Sequence, residues 1–372
     1  MDSLSDVLAR HAGDLPGAVA LVARGGQVEV AAVGSADAGG IVPIARDSLF
    51  RIGALTMPIV AAAVLLLVDD GELALTDPVA RWLPALADPV VVRTPAGPVD
   101  DVVPAVRPIT VEDLLTSRCG YGLAADPELP AVDLLFQVLG HPAGPVRAGG
   151  PDEWLAALAQ VPLLRQPGEA WLYATSADLL GVLIARVTGR PLPEFLAERL
   201  FGPLGMADTG FSVPTAALGR FTSAYRRSAA GLVLADAPEG RWSSPPTFPS
   251  GSGGLVSTAD DLLAFARALL SGHRLLTPES VRLLTTDHLT APQRAAARPF
   301  LRGLGWGFGG AVDVVAVQPW QVPGRYGWTA GAGPAAHLTP ATGTVTVLLT
   351  QVEAADPAPT ELMREFWTYA AK

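Results

Sequence analysis

The residues of this 372-residue chain that bear on chemistry are a tyrosine, a tryptophan and a few backbone positions, not a nucleophile with its base. Tyr173 ends the run Gln166-Pro-Gly-Glu-Ala-Trp-Leu-Tyr173 and is followed by Ala174 and Thr175. Trp328, Thr329 and Gly331 belong to Tyr326-Gly-Trp-Thr-Ala-Gly331. A phenol ionises near pH 10. Tyr173 is therefore expected to stay protonated at neutral pH. It would then donate a hydrogen bond or act as a weak acid. Acyl transfer asks for more: a hydroxyl or thiol with a base beside it, and two donors aimed at the oxygen where charge develops. The lone cysteine, Cys119, reads as a buried and inert thiol, and Ser48 as part of a strand entry. The histidines, His11, His141, His273, His288 and His337, are scattered. No two have metal-ligand spacing, so neither a metal site nor any other cofactor is expected.

The elements that must position these residues follow from periodicity. Residues 18–34, AVALVARGGQVEVAAVG, are two alternating apolar runs around Gly25-Gly26, which predicts a hairpin. Ala335–Leu338 and Thr344–Gln351 flank Pro340-Ala-Thr-Gly343 in the same way. A helix-period segment, Thr360–Ala371, closes the chain, so the two ends are expected to meet in one sheet. Between them the chain reads as helical. Met57–Val68 is a nearly continuous apolar helix, buried on most sides. Pro58 is tolerated only in its first turn, which puts the helix start near Ala54. Thr110-Val-Glu-Asp113 and Thr258-Ala-Asp-Asp261 carry capping patterns. Ser176–Gly189 predicts a helix with Ser176 as N-cap and Gly189 just past its end, and Thr277-Pro-Glu279 opens a short one. Residues 87–108, 123–151 (around a short helix, Ala131–Leu139) and 235–254 read as loops of the kind that carry function.

Several segments point one way together. They are residues 17–37, residues 48–84 (SLFRIGALTMPIV through WLP), Ile109–Leu115 and Gln166–Tyr173. Phe201-Gly-Pro-Leu-Gly-Met-Ala-Asp-Thr-Gly-Phe211, Ser252-Gly-Gly-Leu-Val-Ser-Thr-Ala-Asp-Asp261, Tyr326–Gly331 and Val347–Gln351 complete the set. In this order they resemble the serine β-lactamase-like family, of class C β-lactamase, family VIII esterase and DD-peptidase type. The resemblance implies that the residues after Arg51-Ile-Gly53 would read Ser-x-x-Lys. Here they read Ala54-Leu55-Thr56-Met57, so the attacking hydroxyl and the activating amine are both missing. Thr56, two positions along, faces away from the side where position 54 points. By the same resemblance Tyr173 matches the tyrosine of the second motif. Trp328 opens the third, where the esterase branch commonly has tryptophan. An aromatic wall there argues against penicillin-like anions and for an uncharged or apolar ligand. The implied oxyanion donors are the backbone N–H groups of Ala54 and Gly331, which substitution by alanine does not remove. Met57, Trp328, Thr329, Tyr121 and Thr175 are the implied substrate-binding residues.

Composition bounds the rest. The chain is 49% hydrophobic and 17% charged, enough for a large core in one or two domains. A net charge of −10 with no dense Lys/Arg run argues against nucleic-acid binding. The longest apolar run, Ile59–Val68, is too short for a membrane span. The polar N-terminus reads as an amphipathic helix and not as a signal peptide. No membrane association and a cytoplasmic location are expected. The expected fold is α/β (α+β), serine β-lactamase/DD-peptidase-like, an antiparallel sheet flanked by helices with an inserted mostly helical region. Residues 1–54 and 246–372 would form the α/β domain and 55–245 the helical one, with the pocket between them. The expected function is noncovalent catalysis of cyclase, isomerase or lyase type in small-molecule biosynthesis, acting on a bound carbonyl. A non-enzymatic ligand-binding protein and a serine esterase inactivated by mutation are the alternatives. The expected partner is a small molecule with a carbonyl; the oligomeric state stays open.

Overall fold

Both ends of the chain enter one sheet. The computed structural model describes residues 3–140, 149–272, 274–354 and 358–372; His141 and His273 lie outside them. From edge to edge the seven strands are Gln27–Gly34, Gly17–Arg24, Thr344–Thr350, Ala335–Thr339, Tyr326–Thr329, Ala311–Val312 and Gly305–Trp306. Every neighbouring pair is antiparallel. The N-terminal hairpin joins the C-terminal strand in the register Ala18 to Thr350 through Arg24 to Thr344. Gly17–Ala23 is buried on both faces, so its sequence is apolar throughout instead of alternating. On one face Ala18, Ala20 and Val22 pack against helices Leu4–Ala9 and Glu361–Ala370. On the other, Val19, Leu21, Val347 and Leu349 join the main core with helices Thr56–Asp69 and Ala259–Ser271.

Helix Thr56–Asp69 is buried from Thr56 through Leu67, as a sequence with no polar stripe requires. A 3₁₀ turn over Gly53–Leu55 leads into it. Pro58 sits in its first turn, where a missing N–H leaves no bond unmade. Threonine caps set other helix starts: Thr110 and Asp113 bond reciprocally, and Thr258, Thr277 and Thr360 each accept from the N–H three residues on.

Two local expectations change. Helix Thr175–Thr188 begins one residue before Ser176, and no side chain caps it. Ser176 lies inside the helix and donates its hydroxyl to the Cys119 sulfur at 3.1 Å. Residues 87–108 are not all loop, because Val90–Val92 pairs with Val102–Pro104. Three successive β-branched residues favour a strand there in spite of the surrounding prolines. Helix Pro278–Thr285 opens at Thr277 as its sequence implies, and Ala291–Ala296 follows it. Among the described residues no helix is long and apolar enough to cross a membrane.

Candidate functional site

Three segments converge on one cavity of about 290 Å³. The first is the entry to the buried helix. Phe50–Arg51 pairs with Val256–Ser257, and the chain then turns through Gly53 at φ +50°. A Cβ on Gly53 would lie 3.1 Å from the Ala332 side chain and 3.2 Å from that of Ala330. Only glycine combines that φ with that approach. The contact sets Ala54 against the second segment, the tight turn after Tyr326–Thr329. Here Ala330 N–H donates to Pro334 O at 2.8 Å and Gly333 N–H to Ala330 O at 2.9 Å. Gly331 O accepts from Ala354 N–H at 2.7 Å, which fixes the peptide orientation. Ala54 and Gly331 both line the cavity. Among the described residues, neither of their N–H groups has an acceptor.

The third segment carries Tyr173. Its backbone exchanges hydrogen bonds with Leu123 at 2.9 and 3.0 Å. Ala174 follows at φ +75°, ψ −59°, and Thr175 N–H donates to Tyr173 O at 3.1 Å. This is the strained, positive-φ γ-turn, seldom adopted by a residue with a side chain. Trp328 Nε1–H donates to the Tyr173 hydroxyl oxygen at 3.0 Å. With that lone pair engaged, the phenolic proton is left to donate elsewhere. Burial pushes the phenol up to about 12, with the Trp328 bond pulling weakly the other way. Phe300 stacks on the Tyr173 ring at 5.7 Å, and Trp306 meets Trp328 edge-on at 5.0 Å. These rings form a rigid support beneath Tyr173.

Charged groups rim the cavity. Buried Arg51 bonds Asp236 through Nε at 3.0 Å and through Nη2, gives Nη1–H to Thr222 O at 2.5 Å, and lies 4.0 Å over the Phe221 ring. Desolvation pulls its pKa down, against the pull of Asp236. Arg226 pairs with Glu353 at 2.8 Å. A second cavity of about 270 Å³ shares Ala174, Arg241, Trp242, Ser252 and Gly253 with the first. Trp154 and Phe248, stacked at 4.9 Å, form part of its wall. The Asp178 carboxylate, also in that wall, accepts from Ser250 Oγ at 2.7 Å and from Ser252 N and Oγ at 2.9 and 3.0 Å. Burial raises its pKa in spite of those donors.

Of the residues singled out from sequence, Ala54, Gly331 and Tyr173 share the first cavity, and Thr175 lines the second. Met57, Trp328, Thr329 and Tyr121 line neither. Met57 is only 1% exposed and packs in the main core. Trp328 packs against the Tyr173 ring and donates to its hydroxyl. Thr329 ends its strand opposite Ala335, and the Tyr121 hydroxyl donates to Val161 O at 3.1 Å. The substitute nucleophiles are committed elsewhere. Burial pushes the Cys119 thiol up to about 11. Thr56 donates to Gly53 O at 2.7 Å and accepts from Leu255 N–H at 3.2 Å. Ser48 accepts from Ala45 N–H at 3.0 Å. No cluster of three His, Cys, Asp or Glu suited to a metal occurs among the described residues. Sequence reasoning missed Ser252, Gly253, Arg241 and Trp242 as cavity residues. Their signal was the one arginine–tryptophan pair in the loop 235–254 and the Ser-Gly-Gly that follows it.

The Beta-lactamase family matches residues 5–365. An uncharacterized protein of Mycobacterium tuberculosis is 40% identical over 347 residues, covering 88% of this chain and 85% of its own. Esterase EstB of Burkholderia gladioli is 35% identical over 314 residues, covering 79% of this chain and 74% of its own. Among solved structures, EstCE1, described as a hydrolase with promiscuous acyltransferase activity, superposes with a TM-score of 0.82 at 27% identity. That match covers 98% of this chain and 96% of the other.

Proposed function

The chain belongs to the β-lactamase family and has esterase relatives, and from that premise we propose that it binds and polarises a carbonyl without forming an acyl-enzyme. One observation carries this reading. Ala54 and Gly331, whose N–H groups have no acceptor among the described residues, line the same cavity as Tyr173. Such donors are already oriented, so stabilising developing negative charge on an oxygen costs no rearrangement. Position 54 has no hydroxyl to acylate, and position 57 no amine to take a proton. With a phenol held near 12, Tyr173 acts as a donor and not as a base at neutral pH. Cyclisation, isomerisation or elimination of a small carbonyl compound uses these parts and needs no covalent intermediate. The second cavity gives the substrate's apolar arm a place to lie.

The test uses two substrates. With p-nitrophenyl acetate, the protein should show no hydrolysis above the uncatalysed rate and no acetyl adduct by mass spectrometry. With a β-hydroxy aryl ketone, it should speed loss of water to the enone, the α-proton leaving to solvent and the β-hydroxyl leaving as water. Gly331→Pro, which deletes one donor, should lower that rate by about 10² to 10³. An acetyl adduct, or dehydration equally fast without the Gly331 N–H, would refute the proposal.

A further inference from the structure

Arg241 differs from the other cations of the cavity rim. Arg51 is tied to Asp236, and Arg226 to Glu353. The Arg241 guanidinium has no carboxylate or other acceptor among the described residues. Of the Asp236 oxygens, Oδ2 is held by Arg51 and Oδ1 accepts the Arg241 backbone N–H at 3.1 Å. The Arg241 side chain instead rests on the Trp242 ring at 4.7 Å. Trp242 is itself anchored, its Nε1–H donating to Gly254 O at 2.8 Å. Arg241 therefore lines both cavities from a fixed platform. The charged lining of the carbonyl cavity is three guanidiniums against two carboxylates, in a chain of net charge −10. The expectation of an uncharged ligand rested on Trp328 as an aromatic wall, and Trp328 lines neither cavity.

We infer that Arg241 is a specificity-determining residue that reads a carboxylate on the carbonyl-bearing ligand. Guanidinium offers paired N–H donors that match the two oxygens of a carboxylate. Its position between the cavities places the anion between the carbonyl grip and the aromatic Trp154–Phe248 wall. The ligand class is thus an aryl or alkyl keto acid, and this rests on the carbonyl reading of the site.

Three probes of one shape test it by calorimetric titration: β-benzoylpropionate, its methyl ester, and γ-phenylbutyrate, which keeps the acid but lacks the ketone. The keto acid should bind about three- to tenfold more tightly than its ester, a margin set by one partly solvated charge pair. Added salt should narrow that margin. Arg241→Ala should abolish that margin, with thermal stability unchanged because the side chain is exposed. Arg241→Lys should retain part of it. A keto acid that binds no better than the ester, or a preference that survives Arg241→Ala, overturns the inference. The γ-phenylbutyrate arm separates the two proposals. If it matches the keto acid and still depends on Arg241, the carbonyl reading fails and the carboxylate reading stands.

Discussion

The two segments that meet at the cavity have been built by opposite means. Arg51–Met57 presents no reactive side chain: alanine, leucine, a threonine committed to Gly53 and Leu255, and a buried methionine. Tyr326–Ala332 contributes a strand, a tight turn and an indole that holds Tyr173. Yet each brings to the cavity lining a residue whose N–H has no acceptor among the described residues. Side-chain chemistry disappears with a single substitution. A donor made of main chain persists as long as the chain keeps its path, which here depends on Gly53 and on the Ala330–Pro334 turn. The walls therefore carry more information about function than the residue at the centre.

The strongest way to sharpen this contrast is to install the two side chains that the family resemblance implies. Ala54→Ser with Met57→Lys should raise hydrolysis of p-nitrophenyl acetate about 10²- to 10⁴-fold over the unaltered protein. Position 57 is 1% exposed, so desolvation should lower the pKa of a lysine there, as a base requires. Ala54→Ser alone should gain little, because nothing removes the hydroxyl proton. A double variant that folds, by its circular dichroism, and stays inert would show that the two donors are not aligned for acyl transfer.

What was legible in sequence and what was not divides along the same line. Threonine caps and both sheet hairpins are short-range patterns, and they appear where Thr110, Thr258 and Gly25 place them. Serine commonly caps, which puts the start of helix Thr175–Thr188 at Ser176; a γ-turn at Ala174 closes that end instead. The role of Trp328 depends on a hydrogen bond to a residue 155 positions away, which no local pattern encodes. Arg241 gave no signal of being unpaired, since Asp236 is near it in sequence but is held by Arg51. Family resemblance supplied Ala54 and Gly331. It could not say that Met57 and Trp328 stand behind the cavity surface.

The path of the chain can be broken directly. Gly53→Ala places a Cβ within 3.2 Å of two alanine side chains, at a φ of +50°. It should cost roughly 1–3 kcal/mol of stability and weaken ligand binding, since position 54 must move. Gly331→Ala meets open space and keeps its N–H, so it should change stability by less than about 0.5 kcal/mol. Urea unfolding of the pair measures both. Equal and small effects would mean that the segment entering the helix is adaptable, and that the donor at Ala54 is not held by Gly53.

A further effect concerns the support of Tyr173. Tyr173→Phe leaves the Trp328 N–H without its acceptor and should cost about 1–2 kcal/mol. The phenol also leaves a pH signature whose sign is fixed. Its pKa is near 12 in the folded protein and about 10 when unfolded, because burial disfavours the phenolate. Between those values the folded state holds the proton that the unfolded state has released, so stability falls as pH rises from about 10 to about 12. Below that window Tyr173 contributes no slope, and carbonyl binding should be flat through neutral pH. Burial raises Tyr121 and Tyr326 as well, so alkaline loss of stability should persist in Tyr173→Phe but with a slope smaller by one proton. An unchanged slope in unfolding followed against pH would mean that the Tyr173 phenol is solvated in the folded protein. The indole beneath it would then not fix the direction of its proton, and the contrast between a side-chain donor held rigid and side chains lost would fall.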